Sequence, residues 1–145
     1  MLHLSTIGYQ HHSPETFLDV LQQAGIARVI DIRQLPFSRK RGFSKKALQQ
    51  ALAEQQIDYM HLPALGTPKP LRDEVRRSHD YASFFAAMEA LIAAQPAAVQ
   101  QALDLALERP SALLCFEADP QCCHRLVVAR ALLQRAGTGS HVDHL

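Results

Sequence analysis

Five short apolar runs alternate along the chain with segments whose apolar residues recur every three or four positions. The runs occupy residues 2–7, 27–32, 57–62, 112–116 and 141–145, and their length indicates β-strands. The helical segments begin near Ser13 with Pro14, near Ser44, at about 81 and 97, and after Asp119 with Pro120. Apolar strands between helices are typical of a parallel sheet that is covered on both faces. We therefore predict a three-layer α/β sandwich with a mostly parallel sheet of about five strands.

One stretch, residues 63–80, has no clear periodicity and contains Pro63, Pro68 and Pro70. We predict a long irregular connection there, of the kind that often has a functional role. The remainder of the 145 residues shows no internal repeat and no linker, so residues 1–145 are predicted to form one domain.

Composition and charge exclude several classes of protein. The formal net charge is +1, which gives no global field that would attract nucleic acid or a membrane. No apolar run approaches the ~20 residues of a membrane span, and the chain start lacks the features of a signal peptide. The cysteines, Cys115, Cys122 and Cys123, are odd in number, which favours reduced thiols over a disulfide framework. We expect a cytoplasmic protein without a membrane partner.

Polar residues follow four of the predicted strands, at the points where the strands end. Parallel strands present their carboxyl ends at one edge of the sheet, where ligands bind in such folds. The candidate catalytic residues at this edge are Asp31, Glu117, Cys123 and His124. The candidate ligand-binding residues are Thr6, Gly8, Arg33, Ser38, Arg39, Gly66 and Arg125. We assign no metal ion to this site, and the sequence identifies no cofactor.

The predicted start of the last helix is the most informative part of this site. Unpaired N–H groups and the positive end of the helix dipole suit an anion there, and Arg125 adds a bidentate donor for carboxylate or phosphate. A cysteine in that first turn would have a lowered pKa. The alternative is that Cys122 and Cys123 are only small packing residues.

Three charged residues near the strand ends have more than one interpretation. Asp31 and Arg33 lie two apart on an extended segment, so they point to the same face and are either site residues or a structural ion pair. Glu117 follows an apolar strand, where a carboxylate needs a partner such as an arginine. Its role as general base, substrate ligand or structural partner stays open. We expect Asp31, Glu117 and Arg125 to lie within a few ångströms of one another.

Two further clusters suggest other ligands. A basic cluster surrounds Phe43 and consists of Arg39, Lys40, Arg41, Lys45 and Lys46. It suits a phosphate backbone, and the alternative is a solvated loop and helix face. The adjacent His11 and His12 are weak candidates as metal ligands, alone or with His61 or Cys123.

Several short motifs occur together in a specific order and spacing. They are Thr6-Ile7-Gly8, Asp31-Ile32-Arg33, Ser38-Arg39 with Gly42-Phe43-Ser44, Tyr59 to Leu62 with Leu65-Gly66, and Glu117 to Asp119 with Cys123-His124-Arg125. Over nearly the whole chain they resemble the domain-of-unknown-function family numbered 488. The resemblance implies an α/β domain with a polar site at these motifs, and no particular activity. Tyr9-Gln10 and Cys122 depart from what is usual in the family.

Three functions are compatible with these residues. The first is binding or turnover of a small anionic ligand of phosphate or nucleotide type, supported by the helix start, Arg33 and Arg125. The second is rhodanese-like sulfur or phosphoryl transfer at a thiolate, with Cys123 a better candidate nucleophile than Cys115. The third is a nucleic-acid-binding module that uses residues 39–46. Whether the protein is an enzyme stays open, and so does its oligomeric state.

Overall fold

The computed structural model describes residues 2–145, and its centre is one sheet of five parallel strands. The strands are β1 (His3–Gly8), β2 (Arg28–Asp31), β3 (Asp58–His61), β4 (Ser111–Cys115) and β5 (His141–His144). Their order across the sheet is β3-β2-β4-β1-β5, so β4 lies at the centre. In the register of the sheet, Gly8 pairs with Cys115 and Asp31 with Leu114. The predicted parallel sheet of about five strands is confirmed.

Helices cover both faces of this sheet. They are α1 (Pro14–Gln23), α2 (Lys45–Glu54), α3 (Lys69–Ser78), α4 (Tyr81–Ala93), α5 (Pro96–Glu108) and α6 (Arg125–Ala136). The start of α1 is as predicted, because the Ser13 hydroxyl accepts a hydrogen bond from the Thr16 amide at 3.1 Å and Pro14 occupies the first turn. Among the described residues no single helix is long and apolar enough to cross a membrane; only α4 and α5 counted together, across an 86° bend, reach that length and apolarity.

Two hydrophobic cores lie on opposite sides of the sheet. One joins α1 and α2 to the strand residues Val29, Ala112 and Leu114. The other joins α4, α5 and α6 to Ile30 and Leu113. Neighbouring strand residues enter opposite cores because side chains alternate across a strand. This three-layer arrangement confirms the predicted sandwich, and it also decides which face each polar side chain takes.

The prediction of an irregular connection over residues 63–80 is wrong. A 3₁₀ turn occupies Pro63–Leu65, and α3 follows at Lys69–Ser78. Pro68 and Pro70 stand at the very start of α3, where a missing N–H group costs no helical hydrogen bond. Leu71 and Val75 form a short apolar stripe that packs against the core, but both are only partly buried and most other residues of α3 are charged, so the helix is easily taken for a polar loop in the sequence.

The last helix also begins later than predicted. Asp119 and Pro120 start a 3₁₀ turn that ends at Cys122, and the backbone of Cys123 is extended before α6 begins at Arg125. Asp119 caps this short turn by accepting a hydrogen bond from the Gln121 amide at 2.9 Å. The cysteines therefore precede α6, and the prediction that they lie in its first turn is wrong.

Candidate functional site

The sheet divides the predicted site residues between its two faces. Asp31 shares its face with Val29, toward α1 and α2. Cys115 shares its face with Leu113, toward α6. Two buried polar clusters result. We call the first the Asp31–Arg33 cluster and the second, formed by Cys115, Glu117, Cys123 and His124, the thiol–imidazole cluster.

The Asp31–Arg33 cluster is internally satisfied. The Arg33 guanidinium donates to both carboxylate oxygens of Asp31, at 2.9 and 2.7 Å, and to the Phe43 carbonyl at 2.6 Å. The Tyr59 hydroxyl donates to Asp31 at 2.5 Å. Burial alone would lower the pKa of Arg33, but the hydrogen bonds and charge of Asp31 raise it. Asp31 bonds Arg33 and Tyr59 here, so its interactions are those of a structural ion pair.

Arg125 is fully buried and bonds main-chain carbonyls. Its Nε donates to the Thr6 hydroxyl at 3.1 Å, and its terminal nitrogens donate to the carbonyls of Glu117 and Ala118. Gly8 lies under the same segment, because a Cβ at Gly8 would come within 1.7 Å of the Glu117 carbonyl oxygen. Thr6, Gly8 and Arg125 thus hold residues 116–118 in place.

The thiol–imidazole cluster lies where the central strand β4 ends. The Cys115 sulfur is 3.4 Å from Nδ1 of His124 and 3.3 Å from Oε2 of Glu117. The Cys123 sulfur is 3.9 Å from the same His124 nitrogen. Cys115, Cys123 and His124 are 4%, 1% and 5% exposed, so the two sulfur atoms and the ring nitrogen are shielded from bulk water.

A backbone hydrogen bond fixes which nitrogen of His124 faces the thiols. Nε2 lies 2.9 Å from the Ile32 carbonyl, which can only accept, so Nε2 carries the proton. Burial alone would raise the pKa of Cys115, but hydrogen bonds from Cys123 and His124 and the His124 charge lower it well below its usual value. Burial lowers the pKa of His124, yet the Cys115 thiolate raises it overall. The pair therefore favours a thiolate facing an imidazolium.

The other two members of the cluster ionise less readily beside that charge. Burial, followed by the charge of Cys115, raises the pKa of the Glu117 carboxyl to about 7. Burial and the same thiolate raise the pKa of Cys123 well above its usual value. The sequence favoured Cys123 as nucleophile, whereas the structure gives Cys115 the lower pKa. Its position as the last residue of an apolar strand is the signal that could have identified it.

Three further predicted residues lie outside both clusters. The Ser38 amide donates to the Ser44 hydroxyl at 3.0 Å and so shapes the loop before α2. Arg39 is exposed on that loop. A Cβ at Gly66 would come within 2.2 Å of the Gln34 amide nitrogen, so Gly66 permits a close approach of two backbones.

The histidines considered as metal ligands do not share a site. His12 contacts the Thr16 hydroxyl at 3.1 Å, and His61 bonds the Arg33 carbonyl at 2.7 Å. His11 is exposed on the loop after β1. None of the three joins the thiol–imidazole cluster.

Fold and site together define a parallel α/β protein with a buried thiol–imidazole cluster at the carboxyl end of its central strand. Residues 13–132 match the family described as domain of unknown function DUF488, and the chain belongs to that family. The matched range contains both polar clusters, while Thr6 and Gly8 precede it. No curated protein and no solved structure matches the chain.

Proposed function

We propose that this protein transfers sulfane sulfur through a persulfide on Cys115, with His124 as the base. The observation that carries the proposal is the 3.4 Å contact between the Cys115 sulfur and Nδ1 of His124. Because Nε2 is committed to the Ile32 carbonyl, Nδ1 is the nitrogen available to hold the thiol proton. A nucleophile paired with an oriented base is the usual arrangement for covalent catalysis at a thiol.

The reaction needs no external oxidant or reductant. Nδ1 of His124 holds the proton of Cys115, and the thiolate attacks the outer sulfur of a thiosulfate-type donor. A new S–S bond forms to Cys115 while the S–S bond of the donor breaks, and its electron pair leaves with sulfite. A thiolate or cyanide acceptor then attacks the terminal sulfur of the persulfide, and Cys115 leaves as a thiolate.

The arginines give less support to an anionic ligand or to phosphoryl transfer. Such a site needs guanidinium N–H groups that are free to bind oxygen atoms. Arg33 is committed to Asp31 and the Phe43 carbonyl, and Arg125 to Thr6 and two main-chain carbonyls. Thiosulfate is also an anion, but the cation that faces it at Cys115 is the protonated His124 imidazole, so sulfur transfer does not depend on a free arginine. The chemistry also suits the cytoplasm, where thiols remain reduced.

Access to the thiol requires movement of residues 116–118. Cys115 is 4% exposed, whereas the neighbouring Phe116 is 39% exposed and lies edge-on against Tyr9. Arg125 holds this segment by its carbonyls. We expect the donor to enter when the segment opens.

The proposal is tested with reduced, chelator-treated protein, thiosulfate as donor and cyanide as acceptor. Thiocyanate release should disappear in Cys115→Ser and fall about 10²–10⁴-fold in His124→Gln, the range for loss of a general base. Cys122→Ser is the matched control, because Cys122 lies outside the cluster, and its rate should be unchanged. After thiosulfate alone, the intact mass should rise by one sulfur, and peptide mass should locate it on Cys115. An extra sulfur on Cys123, or full activity of Cys115→Ser, would refute the assignment.

A further inference from the structure

The thiol–imidazole cluster has the spacing of a metal-binding site. The two sulfurs of Cys115 and Cys123 and a ring nitrogen of His124 all lie within 4.8 Å of one another. In a tetrahedral zinc site with bonds of about 2.0–2.3 Å, neighbouring ligand atoms are about 3.3–3.8 Å apart. The sulfur–nitrogen separations of 3.4 and 3.9 Å are close to that range. The side chains therefore need little rearrangement to surround an ion.

A candidate fourth ligand, Glu117, lies beside Cys115. Oε2 of Glu117 is 3.3 Å from the Cys115 sulfur, which is again a ligand-to-ligand distance of a zinc tetrahedron. The carboxylate lies on the segment between β4 and α6, two residues after Cys115. Glu117 is not in the group whose ligand atoms all lie within 4.8 Å of one another, so its side chain must turn toward Cys123 and His124 to complete a set of two thiolates, one imidazole and one carboxylate.

Groups outside this set orient the ligands as they do in metal sites. The Ile32 carbonyl binds Nε2 of His124 at 2.9 Å, which leaves Nδ1 as the ligand atom. The Arg125 amide approaches the Cys123 sulfur at 3.5 Å, a contact that stabilises negative charge on that sulfur. Both contacts come from the main chain, so they are present before any ion arrives.

The charge on Arg125 gives an independent argument. Its guanidinium is fully buried, and within residues 2–145 its hydrogen bonds go to a hydroxyl and two carbonyls, not to a carboxylate side chain. A buried charge without a counter-ion is costly. Zn²⁺ with two thiolates and one carboxylate carries a net charge of −1, which would neutralise Arg125.

The geometry points to a zinc site formed by Cys115, Cys123, His124 and Glu117. Thiolate and imidazole ligands favour zinc over hard ions such as magnesium. The inference goes beyond sulfur transfer, because it requires only the ligand set. It adds a regulatory consequence, since a zinc-bound Cys115 thiolate is not free to attack a donor.

Cobalt(II) is the probe, added to reduced, metal-free protein under anaerobic conditions. We expect one cobalt ion per chain with thiolate-to-metal charge-transfer absorption, which a single equivalent of zinc abolishes. Cys115→Ser and Cys123→Ser should each lose at least half of this absorption, and Glu117→Gln should weaken binding at least tenfold. Cys122→Ser should bind like the unmodified protein. Absence of the absorption, or its survival at full intensity in either cysteine variant, would overturn the zinc site.

A second group of potential metal ligands lies on the surface, and a separate variant distinguishes it from the thiol–imidazole cluster. His3, His141 and Asp143 are exposed and also lie within 4.8 Å of one another, but they contain no sulfur. His141→Ala should therefore keep the charge-transfer absorption. Loss of the absorption in this variant would mean that cobalt binds at the surface group and not at the thiol–imidazole cluster.

Alkylation gives a readout that does not depend on the variants folding. Zinc should protect Cys115 and Cys123 of the unmodified protein from iodoacetamide and leave Cys122 labelled, which peptide mass determines. If zinc leaves the labelling of Cys115 and Cys123 unchanged, the zinc site is also overturned. If the protein binds zinc but its metal-free form does not form the persulfide, only sulfur transfer is refuted. If the metal-free form does form the persulfide but the protein does not bind zinc, only the zinc site is refuted.

Discussion

Replacing Gly8 by alanine tests the packing that holds residues 116–118 over Cys115. The new Cβ would lie 1.7 Å from the Glu117 carbonyl oxygen and 2.5 Å from a terminal nitrogen of Arg125. Contacts under 3.0 Å essentially never occur for a real Cβ, so the carbonyl must retreat by more than about 1 Å. That displacement breaks the hydrogen bond between Arg125 and the Glu117 carbonyl.

The size of the effect follows from these two changes. Loss of a hydrogen bond to a charged group costs about 1.5–3 kcal/mol, and overpacking a buried position costs about 1–3 kcal/mol. We expect Gly8→Ala to lower the free energy of unfolding by about 3–5 kcal/mol. In a domain of this size that corresponds to a fall in Tm of roughly 10–15 °C, measured by circular dichroism. Iodoacetamide should also label Cys115 faster in the folded variant, because the segment above it has moved.

Gly25→Ala is the matched control. Gly25 has a φ of +70°, and a Cβ added there would meet no atom within 4 Å, so its substitution tests backbone conformation without a clash. Its cost should stay near the roughly 1–2 kcal/mol of a left-handed non-glycine residue. A Gly8→Ala protein that melts at the temperature of the unmodified chain, or above Gly25→Ala, would refute the packing argument.

The remaining predictions concern other polar contacts and are measured by urea denaturation. Asp31→Ala leaves the Arg33 guanidinium buried without its partner and should cost about 3–5 kcal/mol; a loss below about 1 kcal/mol would contradict a structural ion pair. Lys40→Met removes an ammonium that donates to two carbonyls, at 3.2 and 2.8 Å, and should cost about 1 kcal/mol, whereas Arg39→Met on the same loop should change stability by less than about 0.5 kcal/mol. Thr6→Val removes a hydroxyl acceptor of the buried guanidinium and should cost about 1–2 kcal/mol, with Thr6→Ser retaining most of the stability.

Much of the fold was predictable because its signals are local. The start of α1 is encoded by Ser13 and Pro14, whose effect depends only on the neighbouring residues. The strand β4 is a run of apolar residues that the sequence displays directly. By contrast, α3 begins with prolines and has only Leu71 and Val75 to pack against the core, so its mostly charged sequence resembles that of a loop. Asp119 caps only a 3₁₀ turn, because a capping residue indicates where a helical segment begins and does not determine its length.

The site was predictable in part for the same reason. Motif positions identified Glu117, Cys123 and His124 as residues of one polar site, and the structure brings them together with Cys115. The sequence could not exclude Asp31 from that group, because all these residues follow strand ends. Only the alternation of side chains across β2 directs Asp31 toward α1 and α2.

By itself the sequence determined the layered α/β architecture, because hydrophobic periodicity and capping act over a few neighbouring residues. Tertiary structure alone decided that Arg125 bonds main-chain carbonyls and that His124 turns Nδ1 toward the Cys115 sulfur. Those partners lie on separate elements, and in the case of His124 the orienting carbonyl of Ile32 is 92 positions away in the chain. The chemistry of a thiol depends on which groups surround it in space, and such distances are fixed only when the sheet and its helices have packed.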